Sequence, residues 1–326
     1  MTVPQVSIII PLYNKRHYIS RALDSVLRQT YRDFEVVVVD DGSTDGGPEL
    51  VQAYRDARLR MIRQANAGPG AARNRGLVES GAAYVAFLDA DDEWMPEYLE
   101  RTVQVLNEYP QCGAVATAYL LGAEKTDVVP TFRRLGMDDG LWNVERCVGR
   151  RELASAVYAL NASTTTARRS VIEKYGGFYE RDRCVYGEDY YLWVQIVFGH
   201  DIYRLLEPLV WYHIEASVLG TGPKSGRPLE PVFTDPDPIR AHCPESRRAL
   251  LERWLATSAL ATAHELAARG DVARASWLVE AFPLMRQWRR EFLKLRIKLA
   301  VPGLAPLLQN VKSCLRTAWH AGKGAA

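Results

Sequence analysis

Between Tyr84 and Asp92 an apolar run of strand length, Tyr84-Val85-Ala86-Phe87-Leu88, stops in Asp89-Ala90-Asp91-Asp92. A strand without alternation is covered on both faces, and unpaired carboxylates are costly away from water. Such an ending fits a strand whose carboxyl end opens into a site holding a cation. Side chains alternate along a strand, so Asp89 and Asp91 are expected on one side, roughly 7 Å apart. That spacing lets both serve one hard divalent ion, directly or through water. Asp92 would point away or begin the turn into a helix near Pro96. Taken alone, solvated acids capping that helix explain the cluster equally well.

The surrounding pattern is open α/β. Val6 to Ile10 is a strand-length apolar run closed by Pro11, and His17 to Gln29 carries Ile19, Ala22, Leu23, Val26 and Leu27 at helical spacing. Phe34 to Val39 is a second β-rich run, ending in the turn-forming Asp40 to Gly47. A third strand is expected at Leu59 to Ile62, and a helix from Gly70 to Ser80 with Gly81 as its stop. Strands alternating with helices predict a parallel sheet with right-handed crossovers, in which ligands bind beyond the carboxyl ends of the strands. Pro11-Leu12-Tyr13-Asn14, Asp40-Asp41 and Asp89 to Asp92 meet at that edge, which favours the cation site over the solvated cap.

A chain of 326 residues accommodates a large catalytic domain and a smaller appendage. The net charge of +2 implies no general polyanion-binding field, so nucleic acid is not an expected partner. Cys112, Cys147, Cys184, Cys243 and Cys314 lack metal-site spacing and read as reduced thiols of a cytoplasmic protein. Val6 to Leu12 is too short and lacks the basic flank of a signal peptide, and no apolar stretch reaches membrane-spanning length.

The runs Val6-Ser7-Ile8-Ile9-Ile10-Pro11-Leu12-Tyr13-Asn14, Val38-Val39-Asp40-Asp41-Gly42-Ser43-Thr44-Asp45, Asn66-Ala67-Gly68 with Ala71-Ala72-Arg73-Asn74, and Phe87 to Asp92 resemble the motifs of the family-two glycosyltransferases. Gly176-Gly177-Phe178 and Gly187-Glu188-Asp189 to Trp193 continue the same order, so the resemblance spans residues 5 to 218. It implies a GT-A fold, a mostly parallel Rossmann-like central sheet flanked by helices, here with a C-terminal α-helical appendage. It also implies sugar transfer from a nucleotide diphosphate donor, expected to be a UDP-sugar, to a saccharide or lipid-linked saccharide hydroxyl. Inversion at the anomeric carbon and Mg²⁺ or Mn²⁺ complete the expectation. Residues 1–118 would form the nucleotide-sugar half, 119–218 the acceptor half, 219–240 a mobile loop and 241–326 a helical region.

The resemblance assigns work to particular residues. Pro11, Tyr13 and Asn14 would border the nucleotide, Tyr13 offering a ring face to the base. Asp40 would accept the base imino N–H, with Asp41 capping the Gly42-Ser43-Thr44 turn, and Arg73 would stand beside the nucleotide. Asp91 becomes the direct metal ligand, with Asp89 nearer the ribose and in support. An inverting transfer needs a base opposite the leaving group, which the match gives to Asp189, with Glu188 and Trp193 at the acceptor. Acids at a helix N-terminus also favour its dipole without any catalytic part. His213 is a candidate metal ligand, but it stands one position earlier than the family alignment by Ser217. A one-residue shift on a strand reverses the face, so its reach to the metal stays open.

Three further features complete the reading. Residues 119–150 look like an insertion with a short hairpin, and Gly220 to Pro238 reads as a mobile loop or lid. Ser246 to Ala268 and Val272 to Phe282 predict a helical hairpin. Arg286 to Ala300 alternates six cations with apolar residues, which suits either an anionic membrane interface or a helix packed by its apolar face. Two other function classes stay in view. A sugar-phosphate nucleotidyltransferase would want a glycine-rich basic loop where Pro11 to Asn14 stands, and a binding module would not need two acidic groups.

Overall fold

The computed structural model of the chain describes residues 3–147, 149–216 and 227–301. It divides into two compact units, Met1–Arg247 and Arg248–Ala326.

In the first unit the apolar runs become strands β1 (Val6–Leu12), β2 (Phe34–Asp40), β3 (Leu59–Arg63) and β4 (Tyr84–Phe87). They lie parallel in the order β3-β2-β1-β4, with helices α1 (Ile19–Leu27), α2 (Gly47–Ala53) and α3 (Pro69–Glu79) between them in sequence. Each sheet face is covered, which is why the runs need no alternation. Ile8, Ile10, Val36 and Val38 share one core with Leu23 and Val26 of α1, while Val37 and Val39 meet Ala72 of α3. Burying each such side chain contributes about 1.5–3 kcal/mol. Helix α3 comes so close that a Cβ on Gly76 would stand 2.4 Å from Cγ2 of Ile9.

The rest of the unit extends the sheet with mixed directions. A short β5 (Glu93–Trp94) precedes α4 (Tyr98–Glu108), β6 (Cys112–Leu121) and β7 (Thr126–Asp127). Helix α5 (Val129–Arg134), β8 (Gly140–Trp142), α6 (Arg150–Ala154), β9 (Thr165–Arg168), α7 (Arg169–Lys174), α8 (Glu188–Gly199) and β10 (Asp201–Tyr212) follow. Strand β9 inserts antiparallel between β4 and β6, and β10 runs parallel to β6 with β5 and β8 on its outer side. The parallel expectation therefore describes the first four strands. Beyond them β9 reverses, which brings its amino end to the same edge as the carboxyl ends of β1, β2, β4, β6 and β10.

Two expectations change here. The acids of Asp89 to Asp92 do not alternate along a strand: β4 ends at Phe87, and Asp92 N–H donates to Asp89 O at 3.0 Å, closing a turn. Residues 220–226 of the expected lid lie outside the described residues, as does Cys314. Beyond them Pro231–Thr234 and Asp237–His242 are short helices that bury Val232, Phe233 and Ile239, so this part is packed structure.

The later residues form helices Glu245–Ala268, Val272–Ala281 and Arg289–Ala300. Asp271 caps the second by accepting from Arg274 N–H at 3.2 Å. No helix among the described residues is long and apolar enough to cross a membrane.

Candidate active site

The strand ends are stitched together by their own polar residues. Asn14, in the left-handed region at φ 51°, donates its N–H to Ser43 Oγ at 3.1 Å and accepts Thr44 N–H on Oδ1 at 2.9 Å. This joins the turn after β1 to the turn after β2. Pro11 remains in register opposite Val39, and Tyr13 is half exposed at the rim.

Asp40, rather than Asp41, caps the turn that follows it. It accepts Ser43 N–H at 2.9 Å, and its other oxygen takes Arg63 Nε at 2.6 Å. The Asp40 side chain is fully covered, with the more exposed Arg63 paired to it. Asp41 instead holds the loop into α3, accepting Ala67 N–H and Gly68 N–H, each at 2.9 Å. The reason is reach: Asp40 is the last residue of β2 and turns back over its own turn, while Asp41 is already clear of the sheet.

Arg73, one turn into α3, is the centre of the site. It is 4% exposed, with Nη2 donating to Asp89 Oδ1 at 2.5 Å and Nη1 to Glu188 Oε1 at 2.9 Å. Burial opposes its charge, but Asp89, Glu188 and Asp189 outweigh burial and push its pKa up. The next residue fixes α3 from the other side. Asn74 accepts Phe178 N–H at 2.8 Å and donates to Phe178 O at 2.9 Å. Gly177 (φ 81°) is required there, because a Cβ would stand 2.3 Å from Asn74 Oδ1. Two sequence motifs a hundred residues apart thus form one clamp.

The acidic turn divides by direction. Asp92 is buried, accepting from Ser163 Oγ at 2.5 Å and from His213 N–H at 3.2 Å. Ser163 Oγ also accepts Asp89 N–H at 3.1 Å, so one hydroxyl holds both ends of the turn. Asp91 Oδ2 accepts from Lys15 Nζ at 2.5 Å, and Lys15 also reaches Ala216 O at 2.8 Å. Burial, then the Asp89 charge, pushes the Asp91 pKa up against the pull of Lys15. Asp91, with the Asp89 carboxylate beside it, could hold a divalent ion in competition with Lys15. The described residues hold no cluster of three or more His, Cys, Asp or Glu arranged as a metal site. Two carboxylates completed by substrate phosphates and water are the arrangement Mg²⁺ and Mn²⁺ sites commonly use.

Helix α8 supplies the second acidic pair. Glu188 is 7% exposed, and burial followed by the Asp189 charge pushes it up to about 7. Burial also raises Asp189, whose carboxylate accepts Tyr190 N–H at 2.7 Å and Trp193 Nε1–H at 3.3 Å. Trp193 is not an acceptor-facing residue. It is fully buried, edge-on to Phe87 and Phe178 with ring centroids 6.5 and 5.6 Å away. The helix is buried nearly all round rather than amphipathic, since Tyr191 to Phe198 all face protein.

His213 does not join Asp89 and Asp91. Its Nδ1 lies 2.9 Å from Glu215 Oε1 and its Nε2 3.9 Å from Glu93 Oε2, with the ring against Trp211 at 4.1 Å. His213 lies just beyond β10, whose register is irregular around Pro208, and Tyr212, the last residue of that strand, feels the charge of the acids. Burial, then Asp92, Asp89, Asp91 and Asp189, pushes the Tyr212 pKa up.

The profile described as Glycosyl transferase family 2 matches residues 7–176. The chain belongs to this family. Among its relatives, TuaG of Bacillus subtilis, a glycosyltransferase whose assignment to teichuronic acid biosynthesis is itself provisional, is 37% identical over 147 residues, 43% of this chain and 58% of that one. The curated relatives compared are spanned over 15–58% of their own lengths. S. aureus TarS 1–349 in complex with UDP-GlcNAc shares the fold at TM-score 0.62 and 22% identity, covering 78% of this chain and 72% of that TarS 1–349 chain. The mannosyltransferase PcManGT from Pyrobaculum calidifontis, solved with GDP-Man and Mn²⁺, does so at TM-score 0.53 and 20% identity, covering 94% and 88%. The fold is GT-A.

Against that family, Lys15 and Tyr212 are the site neighbours that motif reading missed. Lys15 follows Pro11 to Asn14 directly but meets an acid 76 residues away, and no spacing announces such a pair. Tyr212 was discoverable only as the neighbour of His213, since a one-residue shift exchanges the two faces.

Proposed function

We propose that the protein is a metal-dependent, inverting glycosyltransferase moving a sugar from a nucleotide diphosphate donor, a UDP-sugar, to a saccharide or lipid-linked saccharide hydroxyl. The setting proposed is cell-surface polysaccharide or glycolipid synthesis at the inner face of the membrane. The observation that carries the reading is the convergence of Asp89 and Glu188 on the one buried Arg73, which couples the acidic turn to the acidic helix start. The relatives' names and the nucleotide sugars bound by TarS and PcManGT support it.

In this reading residues 1–118 form the donor half and 119–218 the acceptor half, with residues 219–240 between them and the helical region. Pro11, Tyr13, Asn14 and Asp40 border the nucleoside, with Arg73 and Asp89 beside the ribose and phosphates. Asp91, supported by Asp89, would hold the divalent ion, which when bound would supply Lewis-acid neutralisation of the charge on the departing diphosphate. Lys15 and Arg73 hold positive charge at the same acids and are positioned to stay with the phosphates as that charge develops. Asp189, from the opposite side, takes the acceptor hydroxyl's proton as oxygen attacks the anomeric carbon. Its raised pKa suits that task, because a base with too low a pKa binds the proton poorly. Glu188 orients the acceptor and fixes Arg73.

Helix Arg289–Ala300 supports a peripheral membrane contact. Leu295 is buried, whereas Leu293 and Ile297 are 61% and 49% exposed on the opposite face. Arg289 and Arg296 flank them on one side and Arg290 and Lys294 on the other, as expected of a helix lying in an anionic interface.

Incubation with labelled nucleotide sugars, metal and a panel of lipid-linked saccharides tests the activity. Nucleoside diphosphate with a glycosylated product of inverted configuration is the expected result, and pyrophosphate release would overturn it. For the membrane contact, flotation on phosphatidylglycerol vesicles should be lost in Leu293→Glu/Ile297→Glu; unchanged flotation would remove that part.

A further inference from the structure

A cavity lies far from the acidic edge. Strand β8 pairs with the first half of β10, setting Arg204 opposite Gly140 and Ile202 opposite Trp142. Arg204 and Tyr212 stand roughly 25 Å apart by strand rise. Beside β8 a cavity of about 220 Å³ is lined by Arg204, Trp142, Asp138, Cys147 and Glu152 among others.

Arg204 is 3% exposed, with Cζ 3.7 Å from the centre of the Trp142 ring. Among the described residues no hydrogen bond or ion pair reaches its guanidinium, and Nε is buried without a partner. Burial pushes its pKa down to about 10, against Cys147 and Asp138, which favour the charge. A guanidinium stays protonated in a protein, so the fold carries a buried cation that faces a cavity and has no hydrogen-bonding or ion-pair partner among the described residues. An anion from outside would resolve it.

We propose that this cavity binds one small hydroxylated carboxylate, such as a uronic acid unit, through Arg204. The carboxylate matches the planar fork of Arg204, while a ring hydroxyl donates to the carboxylate of Asp138. Asp139 and Glu152 are already engaged, Asp139 by Tyr203 OH at 3.3 Å and Leu206 N–H at 2.8 Å, and Glu152 by Gly149 N–H at 3.2 Å. Three acids on the walls, Asp138, Asp139 and Glu152, outnumber the cations Arg204 and Arg146 and penalise a phosphate dianion more than a monoanion, which selects carboxylate over phosphate. The site is independent of the transfer reaction and stands or falls separately from it.

The test is titration of the full chain with sodium D-glucuronate, followed by tryptophan emission, with D-glucose and inorganic phosphate as parallel probes. Glucuronate should give a saturable change that is lost in Trp142→Phe, weakened at least ten-fold in Arg204→Met and unaltered in Asp189→Asn. Arg204→Met should keep or raise Tm without ligand, because it removes a buried charge that no ion pair or hydrogen bond holds. A lowered Tm with unchanged glucuronate affinity would assign Arg204 to packing and overturn the proposal. So would an equal response to D-glucose, tighter binding of phosphate, or no saturable response. Asp138→Asn, at an exposed position, serves if Arg204→Met fails to fold: affinity for glucuronate should fall several-fold, and no change overturns the site.

Discussion

Arg73 and Glu188, 115 residues apart in the chain, meet at 2.9 Å in a pair with side chains 5% and 9% exposed. A second nitrogen of the same guanidinium holds Asp89, so α3 ties the start of α8 to the turn after β4. Removing one partner leaves a buried charge uncompensated. Arg73→Met is expected to lose about 3–5 kcal/mol in a denaturant melt. Arg73→Met/Glu188→Gln should recover part of that loss, whereas strict additivity would mean the two groups are not coupled.

Asp189 is predicted to be the base. Asp189→Asn should lower turnover by roughly 10²–10⁴-fold while donor affinity, measured by calorimetry, stays within a factor of a few. Full turnover in the variant would end that assignment.

The Glu188–Asp189 pair also predicts a pH profile. Both carboxyls are raised by burial, Glu188 to about 7. The base works deprotonated, so kcat/KM should rise with pH through an apparent value near neutrality that belongs to the pair. Glu188→Gln removes one negative charge and should move the limb to lower pH; a flat profile from pH 5 to 8 contradicts the role.

Lys15 occupies one oxygen of Asp91, so it competes with any cation there. Without nucleotide, Lys15→Met should bind Mn²⁺ more tightly by paramagnetic resonance titration, and Asp91→Asn should abolish binding. Weaker Mn²⁺ binding in Lys15→Met would show that the lysine assists the ion.

His200 gives a prediction free of activity. Burial, aided by Lys174 and Arg247, lowers its pKa to about 4, and its Nε2 is buried without a partner. Below pH 6.5 the unfolded chain binds a proton that the folded chain refuses, so stability falls as pH drops from about 6.5 toward 4. His200→Asn should flatten the dependence of Tm on pH in that window; an unchanged slope assigns it to other groups.

Trp193 separates packing from recognition. As a core residue, Trp193→Phe should leave the acceptor KM unchanged, while Trp193→Ala costs about 3–5 kcal/mol. A selective rise in acceptor KM for Trp193→Phe would restore it to the site.

The fold was legible where local pattern and burial agree. Val6 to Ile10, Phe34 to Val39 and Leu59 to Ile62 are strands because a helix-covered sheet accepts continuous apolar runs. Trp193 was misread because an aromatic near an acidic pair looks the same in sequence whether it faces ligand or core. The antiparallel β9 carries no local mark of its direction, since direction depends on which neighbours it finds.

By itself the sequence determined the strand ends and their chemistry: polar residues at Asn14, Asp40 and Asp89 to Asp92, and acids opening α8. These follow from short-range periodicity and turn preference, which need no knowledge of distant residues. Only the tertiary structure decided partners. It gave Asp89 and Glu188 a shared arginine, Asp91 a lysine and Asp92 a serine, and it brought Tyr212 under the charge of the acids. Side-chain direction at a strand end depends on bulges and on charges brought from far along the chain, and neither is written in local spacing.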